Sequence, residues 1–541
     1  MSVVGDPVTL LWQCLLVVAV ALSVRAVSGL ADSNHRIRDA LTERFYLGVP
    51  WGSLLVFGGV LSVYLFVQGG LWQPDEPLSI PFSAWSYFYP LGVLLSSFSH
   101  ANASHLVGNL TTALVFAPLA EYIWGHHSAG ERARDDPRVR AFVLFPLGVF
   151  AVGIVMSVFE WGPVIGFSGV VFALIGFVLV RYPLLTVIAL SARSAVRTLS
   201  DALSDPVSIV EVTASVSPPW WYGIAVQGHA LGLFVGILLG TALLRRRGVE
   251  PDPLRLWLGT FLTTLSLSLW AIWWVRGAAT YVLYQALGIV LVLALSLLVT
   301  AALTASDHPL VGDLTRRQAA TAALVAPLVV MCLVAVPLNL AVVEDEPRDA
   351  ALESGDYTVF YAEDVENEMF SVVEIEAFGE STNVTTSGVI VTSPERHVWG
   401  QQISVSELET HGEATIRIGG LTWSETIDAE RAGWEVGDER VYAIWFESAG
   451  ERTHAYDSEP ERTDAIIDGR TITLDAEAGT FFIEVENEIG TERGEVPEAG
   501  ENVEIDGLEI ENDDGTLIAN DGETAVPVAQ EETYVPRQDD L

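Results

Sequence analysis

Residues 162–176 read GPVIGFSGVVFALIG, an apolar helix pattern with a single hydroxyl group, that of Ser168, near its start. Gly166 and Gly169 flank Ser168 and let other backbone approach it on both sides. A serine that begins a helix lies beside free backbone N–H groups, which can receive an oxyanion. The pattern favours a nucleophilic serine, and the alternative is a buried serine in a glycine-rich packing seam.

A nucleophilic serine needs a base, and the candidate base lies in residues 228–236, GHALGLFVG. An ionisable residue in an apolar helix is a functional candidate by default, although a packed or pore-lining histidine is the alternative. His229 is followed by Gly232 and Gly236, and small residues so spaced let helices touch backbone to backbone. A similar face follows Ser168, formed by Gly169, Ala173 and Gly176. We expect the two faces to pack together and to bring Ser168 to His229.

Hydrogen-bond donors are concentrated in residues 99–109, SHANASHLVGN. His105 and Asn109 are four residues apart and share one helix face. Both side chains can donate hydrogen bonds, as oxyanion stabilisation requires. For His100, a supporting role and a purely structural role at a helix start are both open.

These three motifs, in this order, resemble those of the rhomboid family of intramembrane serine proteases. The resemblance rests on HxxxxHxxxN, GxSG and HxxGxxxG and covers roughly residues 49–245. It implies a catalytic dyad of Ser168 and His229. It also implies an oxyanion site made by His105, Asn109 and the Ser168 N–H, with His100 in support.

Two positions depart from the family pattern. The family often has a Trp-Arg pair in its first long loop, where residues 84–87 here read AWSY. It often has a tyrosine four residues after the nucleophile, stacked under the base, where this chain has Phe172. Phenylalanine keeps the stacking and loses the hydroxyl, so neither departure removes a reacting group.

The charge is divided unevenly along the 541 residues. The net charge is −41, and half of the residues are hydrophobic. Residues 1–343 hold 18 arginines and 18 acidic residues, whereas residues 344–541 hold 10 arginines and 51 acidic residues, and no lysine occurs in the chain. An acidic domain without lysine is tolerated where salt screens its charge. The pattern resembles proteins of extreme halophiles, especially haloarchaea; the alternative is a domain for a basic partner.

The apolar runs predict a polytopic α-helical membrane protein with about ten transmembrane helices and a rhomboid-like six-helix core. The predicted spans are 8–29, 49–68, 104–124, 140–158, 168–183, 184–202, 222–244, 255–275, 279–303 and 319–343. Arginine clusters mark the cytoplasmic side: Arg36, Arg38 and Arg44; Arg132, Arg134, Arg138 and Arg140; Arg245, Arg246 and Arg247; Arg316 and Arg317. This topology puts His105, Ser168 and His229 at the outer ends of three helices. The weakest span is 184–202, because it contains Arg193 and Arg197.

Composition changes abruptly after Val343, where short strand patterns separated by turns predict an all-β, sandwich-like acidic domain outside the cell. The predicted strands include 358–361, 370–376, 414–418, 441–446 and 480–485. The predicted domains are an extra N-terminal transmembrane helix and cytoplasmic loop (1–48), the rhomboid-like core (49–247), three additional transmembrane helices (248–343), the β-rich domain (344–490) and an acidic, disordered tail (491–541). We expect a multi-pass protein of the plasma membrane.

Several other features predict no further chemistry. Cys14 and Cys332 lie in apolar runs, so the sequence predicts no disulfide in the polar domain. We expect no cofactor, because no metal-ligand spacing or phosphate-binding loop is present, and no nucleic-acid partner, because no basic patch is present. His126 and His127 are adjacent but lack further ligands, and Asn383 begins a triplet that is compatible with glycosylation.

The motifs favour hydrolysis of peptide bonds in membrane-anchored proteins near the outer face of the bilayer. One alternative is a catalytically inactive rhomboid-like protein that binds membrane proteins. Another is a transporter that uses the same polar residues as a pathway, although the spans show no inverted repeat. The sequence leaves the substrate, the oligomeric state and the role of the extra helices open.

Overall fold

A computed structural model of the chain describes residues 42–125, 136–204, 224–275, 281–344, 350–369, 385–522 and 524–535, with Trp221 and short pieces within 13–25 and 376–381. The chain divides into two compact units, Met1–Asn339 and Leu340–Leu541, close to the predicted boundary after Val343. Some predicted features lie outside the described residues: Arg36, Arg38, Arg132, Arg134, His126, His127, Asn383 and the strand segment 370–375.

Nine helices of ten or more residues make up the described part of the first unit from residue 42 onward. They are α1 (Trp51–Val67), α2 (Ala103–Trp124), α3 (Pro137–Phe159), α4 (Ser168–Arg181), α5 (Pro183–Ser204), α6 (Val226–Arg247), α7 (Pro253–Ser266), α8 (Gln285–Thr304) and α9 (Arg316–Leu338). Two hairpins connect the last three helices: β1 (Trp273–Val275) with β2 (Tyr281–Leu283), and β3 (Pro309–Val311) with β4 (Leu314–Thr315).

Within the described residues, five helices are long and apolar enough to cross a membrane: α2, α3, α6, α8 and α9. Each corresponds to a predicted span, and α1 and α4 are shorter apolar helices at two further predicted positions. The prediction over 255–275 is wrong in extent, because α7 ends at Ser266 and the chain then turns into the hairpin of β1 and β2. Helix α5 covers 184–202 but does not meet the same criterion.

Arginine side chains donate hydrogen bonds to a helix end that lies opposite the glycine-rich motifs. Arg247 donates to the carbonyls of Ile123 and Trp124, at 2.6 and 3.0 Å, and Arg140 donates to that of Trp124 at 2.6 Å. The last carbonyls of a helix have no partner within the helix, and cationic side chains satisfy them. Arg140 and Arg247, from two of the predicted cytoplasmic clusters, therefore lie at the same end of the unit, at the far end of α2 from His105.

Helix α4 lies at the centre of the helical unit. Residues 169–176 are all buried, and the helix contacts α2, α3, α5 and α6. A helix that is apolar on all sides needs neighbours on all sides, which explains this position. Its 14 residues give a length of about 21 Å, less than the roughly 30 Å of a hydrocarbon core.

The second unit is built from antiparallel strands. They are β5 (Leu352–Ser354), β6 (Tyr357–Glu366), β7 (Glu376–Ala377), β8 (Glu380–Ser381), β9 (Thr385–Ser393), β10 (Val398–Ser404), β11 (Glu413–Gly419), β12 (Ser424–Val436), β13 (Glu439–Ser448), β14 (Glu451–Asp457), β15 (Glu461–Ile467), β16 (Arg470–Glu477), β17 (Thr480–Glu486), β18 (Thr491–Glu495), β19 (Asn502–Ile505), β20 (Leu508–Asp513), β21 (Thr516–Asn520) and β22 (Ala525–Glu531), with one short helix, α10 (Val405–His411). Four of the predicted strands, at 358–361, 414–418, 441–446 and 480–485, lie within β6, β11, β13 and β17.

Three sheets contain all of these strands except β7 and β8, which pair only with each other among the described residues. One has the order β10-β9-β6-β5, and another has the order β15-β16-β17-β18. The largest has the order β14-β13-β12-β22-β21-β20-β19, with β11 also paired to β12. The C-terminal strand β22 therefore lies beside β12, from the middle of the unit.

The prediction of a disordered tail over 491–541 is wrong for residues 491–531. Strands β19 and β20 place acidic residues at exposed positions that alternate with more buried ones, as in Leu508 to Asp513. Leu508, Ile510 and Leu517 are fully buried in one apolar core with Ile472 and Ile483. Because the acidic residues face solvent at every second position, the composition resembles that of a disordered segment although the strands bury an apolar face.

Candidate active site

Ser168 is the first residue of α4 and is half-buried. No side chain caps this helix in the described part of the chain, so its first N–H groups remain available to a ligand. The preceding Gly166 has a φ of +127°, a conformation that residues with a side chain rarely adopt. The turn before Ser168 is thus shaped by a backbone position that requires glycine.

The small-residue faces of α4 and α6 are in direct contact. A Cβ atom placed on Gly236 would lie 2.7 Å from the carbonyl carbon of Ala173, and one on Gly232 would lie 3.0 Å from that of Gly169. A Cβ on Gly176 would lie 3.1 Å from the backbone nitrogen of Ile237. Backbone therefore meets backbone along the interface, and the helices that carry Ser168 and His229 approach as closely as helices can.

The ring of His229 lies flat against that of Phe172, with centroids 4.1 Å apart and an interplanar angle of 6°. Phe172 is one helical turn after Ser168, so this contact holds the imidazole over the first turn of α4. Nδ1 of His229 is buried and has no hydrogen-bond partner among the described residues. Among the described residues, Ser168 Oγ and His229 do not form a hydrogen bond with each other. Hydrogen bonds between catalytic groups are often long in the absence of substrate.

His105 and Asn109 converge on the turn that precedes Ser168. A Cβ on Gly166 would lie 2.8 Å from Nε2 of His105 and 3.7 Å from Nδ2 of Asn109. Asn102 begins the helix that carries them, because its side chain accepts the N–H of His105 at 2.8 Å. The amide nitrogen of Asn109 is buried and has no partner in the described part of the chain. Two donors thus face the backbone two residues before the candidate nucleophile.

His100 lies behind this pair. Its ring centroid is 5.2 Å from that of His105, and its Nε2 accepts the N–H of Phe167 at 3.5 Å. Burial, and secondarily the nearby charge of His105, lowers the pKa of His100 to about 3, so its ring is neutral at neutral pH. A neutral ring can accept this hydrogen bond, which links residues 99–109 to the turn before Ser168.

Sequence analysis missed Gln68, which fixes His100 from the end of α1. Its amide donates to the carbonyls of His100 and Leu78, at 2.7 and 3.0 Å, and its oxygen accepts the N–H of His100 at 2.8 Å. The only signal in the sequence is one amide at the end of an apolar run. Its role depends on a partner 32 positions away.

Sequence analysis also missed Gln227 and Asn339, whose side chains hold residues 158–161 in place between the end of α3 and residue 162. Gln227 accepts the N–H of Trp161 and donates to the carbonyl of Phe159, both at 3.1 Å. Asn339, just after α9, donates to the carbonyls of Val158 and Glu160, at 3.2 and 2.8 Å. The last of the additional helices is therefore bound to the loop that leads into Ser168.

Residues 84–87, where the chain departs from the family pattern, help to hold the first long loop in place. Trp85 is buried and donates to the carbonyl of Ile80 at 2.7 Å, whereas Trp72 and Phe88 are exposed. Tyr87 donates through its hydroxyl to the carbonyl of Val158, at 2.5 Å, and through its N–H to the carbonyl of Asn339, at 2.8 Å. Core packing accounts for Trp85, whereas exposed aromatics such as Trp72 and Phe88 suit a membrane–water interface.

The fold and these residues define a class, a polytopic helical membrane protein with a serine, two histidines and an asparagine at one end of a buried central helix. Residues 85–246 match the family model described as Rhomboid domain. The chain therefore contains a rhomboid domain, as the motifs predicted, and its apolar helices are those of a multi-pass membrane protein. Comparison with curated proteins and with solved structures gives no match. Among the described residues, no group of three or more His, Cys, Asp or Glu side chains is arranged to hold a metal ion.

Proposed function

We propose that this protein is an intramembrane serine protease that cleaves membrane-anchored proteins through a dyad of Ser168 and His229. One observation carries the proposal: the donors of His105 and Asn109 meet the backbone two residues before Ser168, while the His229 ring is stacked one turn after it. Nucleophile, base and oxyanion donors therefore share one end of α4. The family match over residues 85–246 supports the same reaction class.

In the proposed mechanism, His229 takes the proton of Ser168 as Oγ attacks the substrate carbonyl carbon. The negative charge that develops on the carbonyl oxygen is stabilised by His105, Asn109 and the backbone N–H of Ser168. His229 then returns the proton to the leaving amine, and water releases the acyl group from Ser168 by the same route. The donors are fixed before substrate arrives, and little water competes with them, so they act strongly on the transition state.

The depth of the site supports a membrane-anchored substrate. Helix α4 is about 21 Å long, too short for the bilayer that α2, with 22 residues, can cross fully, and the proposal places its start below the outer surface. A peptide bond can reach Ser168 only if its segment unwinds within the membrane. Small residues in the substrate helix would ease this unwinding.

The first experiment measures cleavage of a single-span reporter by protein reconstituted in lipid at high salt, together with labelling by a serine-directed fluorophosphonate. Ser168→Ala and His229→Ala should each abolish cleavage, and Ser168→Ala should abolish labelling. Ser62→Ala and His308→Ala are matched controls, because Ser62 is on α1 and His308 is exposed beyond α8. Cleavage by Ser168→Ala at the wild-type rate would refute the proposal. Wild-type protein that binds the reporter but is neither labelled nor active would support the inactive alternative.

We further propose that the acidic β-rich unit is outside the cell, on the same side as Ser168. Asn339, the last residue of the helical unit, is bonded to residues 158 and 160 at the end that holds Ser168. Arg140 and Arg247 mark the opposite end, and arginines favour the cytoplasm. A protease added to right-side-out vesicles should digest the β-rich unit. Digestion only after lysis would reverse the assignment.

A further inference from the structure

A buried acidic side chain that the mechanism does not use lies between α4 and α6. Glu160 follows α3, and its side chain points between the first turns of the two helices. A Cβ on Gly169 would lie 2.5 Å from Oε1 of Glu160, and a Cβ on Gly228 would lie 2.7 Å from the same atom. Gly169 follows Ser168, and Gly228 precedes His229. The carboxylate thus occupies space that exists because both flanking positions are glycine.

Side chains of neighbouring segments hold the backbone around Glu160 in place through hydrogen bonds. Gln227 binds the residues on either side of it, and Asn339 binds its own carbonyl at 2.8 Å. Within the described part of the chain, no side chain hydrogen-bonds to the carboxylate or forms an ion pair with it. A buried acid with a fixed backbone and an unbonded side chain is costly, which suggests a function for its charge.

Favourable charges near Glu160 come from the two helices and from the candidate base. The first turns of α4 and α6 both present the positive end of a helix dipole to the carboxylate. On α6, the residue beside the carboxylate is Gly228, and the titratable side chain that follows it in the helix is His229. The first long loop contributes Tyr87, bonded at Val158, and α9 contributes Cys332, close enough to Tyr87 to interact with it electrostatically.

We propose that Glu160 is the acidic positioning residue of this active site: its carboxylate stabilises the imidazolium of His229 and holds the first turns of α4 and α6 together. The inference rests on the proposed function, because an imidazolium forms only if His229 takes the proton of Ser168. The proton stays on His229 throughout, and Glu160 acts by its charge. Glu160 is supplied from the end of a third helix, α3. Its carboxylate lies beside Gly169 and Gly228, and among the described residues it is not hydrogen-bonded to the His229 ring.

The titration of Glu160 fits this role. Burial raises the pKa of its carboxyl to about 7, so its charge changes in the neutral range. Because this value is above the ordinary one, the group lowers stability as pH rises between the two values. A residue kept only for stability would behave in the opposite way. The ionised form is disfavoured in the resting protein and becomes favourable when His229 acquires its positive charge.

The test is Glu160→Gln in the full-length protein, with reporter turnover measured from about pH 5 to pH 9. Loss of the charge should lower the plateau of kcat about tenfold. It should also remove the acidic limb that the wild-type kcat profile shows near pH 7, because that limb follows protonation of Glu160 itself, and glutamine does not titrate. Thermal unfolding at pH 8 should occur at a higher temperature than for wild type, so the variant should be more stable and less active. Glu160→Asp, which keeps the charge, should keep the acidic limb, and Glu43→Gln, on the exposed surface, should change neither quantity.

If Glu160→Gln lowers the kcat plateau but leaves the acidic limb unmoved, Glu160 is only a packing residue and the proposal is overturned. A kcat plateau equal to that of the wild type would overturn it as well. If Glu160→Gln does not fold, the same profile is measured on Gly228→Ala, whose Cβ displaces the carboxylate; an unmoved limb there overturns it equally. Failure of the proposed function gives a separate result, since the wild-type protein itself would then neither cleave the reporter nor react with the fluorophosphonate.

Discussion

The backbone contact between α4 and α6 makes Gly236→Ala a sensitive test of the active-site geometry. The added methyl carbon would lie 2.7 Å from the carbonyl carbon of Ala173 and nearer still to its oxygen. Ordinary contact begins at 3.4 Å, and no flexible side chain is present to give way, so the helices must separate by roughly 1 Å. A misplacement of 1 Å can reduce a rate about a hundredfold. Overpacking of this kind typically destabilises by about 1–3 kcal/mol.

The assay is reporter cleavage in lipid, with fluorophosphonate labelling and thermal unfolding measured on the same preparations. Gly236→Ala should insert and fold, and should lose about two orders of magnitude in turnover. Gly148→Ala on α3 is the matched control, because a Cβ there would have no neighbour within 4 Å, and it should behave as wild type. Wild-type turnover by Gly236→Ala would show that the contact does not set the distance between Ser168 and His229.

Three further predictions follow from the same structure. Asn109→Ala and His105→Ala should each lower kcat about a hundredfold with little change in KM, and a change confined to KM would contradict an oxyanion role. Phe172→Leu should lower kcat about fivefold, because it loses about 1 kcal/mol of ring stacking, whereas Phe172→Tyr should keep the stacking and the activity. Equal rates for the two variants would count against positioning of His229 by the Phe172 ring. The isolated unit 340–541 should lose thermal stability as salt falls from about 1 M to about 0.1 M, because the screening length grows from about 3 to about 10 Å between crowded carboxylates; a salt-independent unfolding temperature would refute this.

The parts of the fold that could be read from the sequence are those with local periodic signals. Long apolar runs predicted α2, α3, α6, α8 and α9, and alternating apolar residues predicted four strands of the acidic unit. The predictions failed where the local sequence pattern disagreed with the packing of the whole unit. Residues 255–275 are apolar throughout, yet the helix ends at Ser266 and a hairpin follows. Residues 491–531 look like part of a charged tail, yet strands β19 to β22 bury apolar residues in one core.

The sequence by itself determined the identity of the candidate site. Ser168, His229, His105 and Asn109 stand in short motifs whose glycines announce close backbone contact, and helical spacing indicates which residues share a face. The charge division between the two units is likewise a property of composition alone.

Only the tertiary structure decided which residues surround that site. Gln68, Glu160, Gln227 and Asn339 come from four separate segments, and each is a single polar residue that is part of none of the motifs. Their roles arise from partners many positions away, and sequence spacing carries no information about such pairs. A buried polar group must find its partner wherever the packing of the helices brings one, so the fold had to be known before these residues could be recognised.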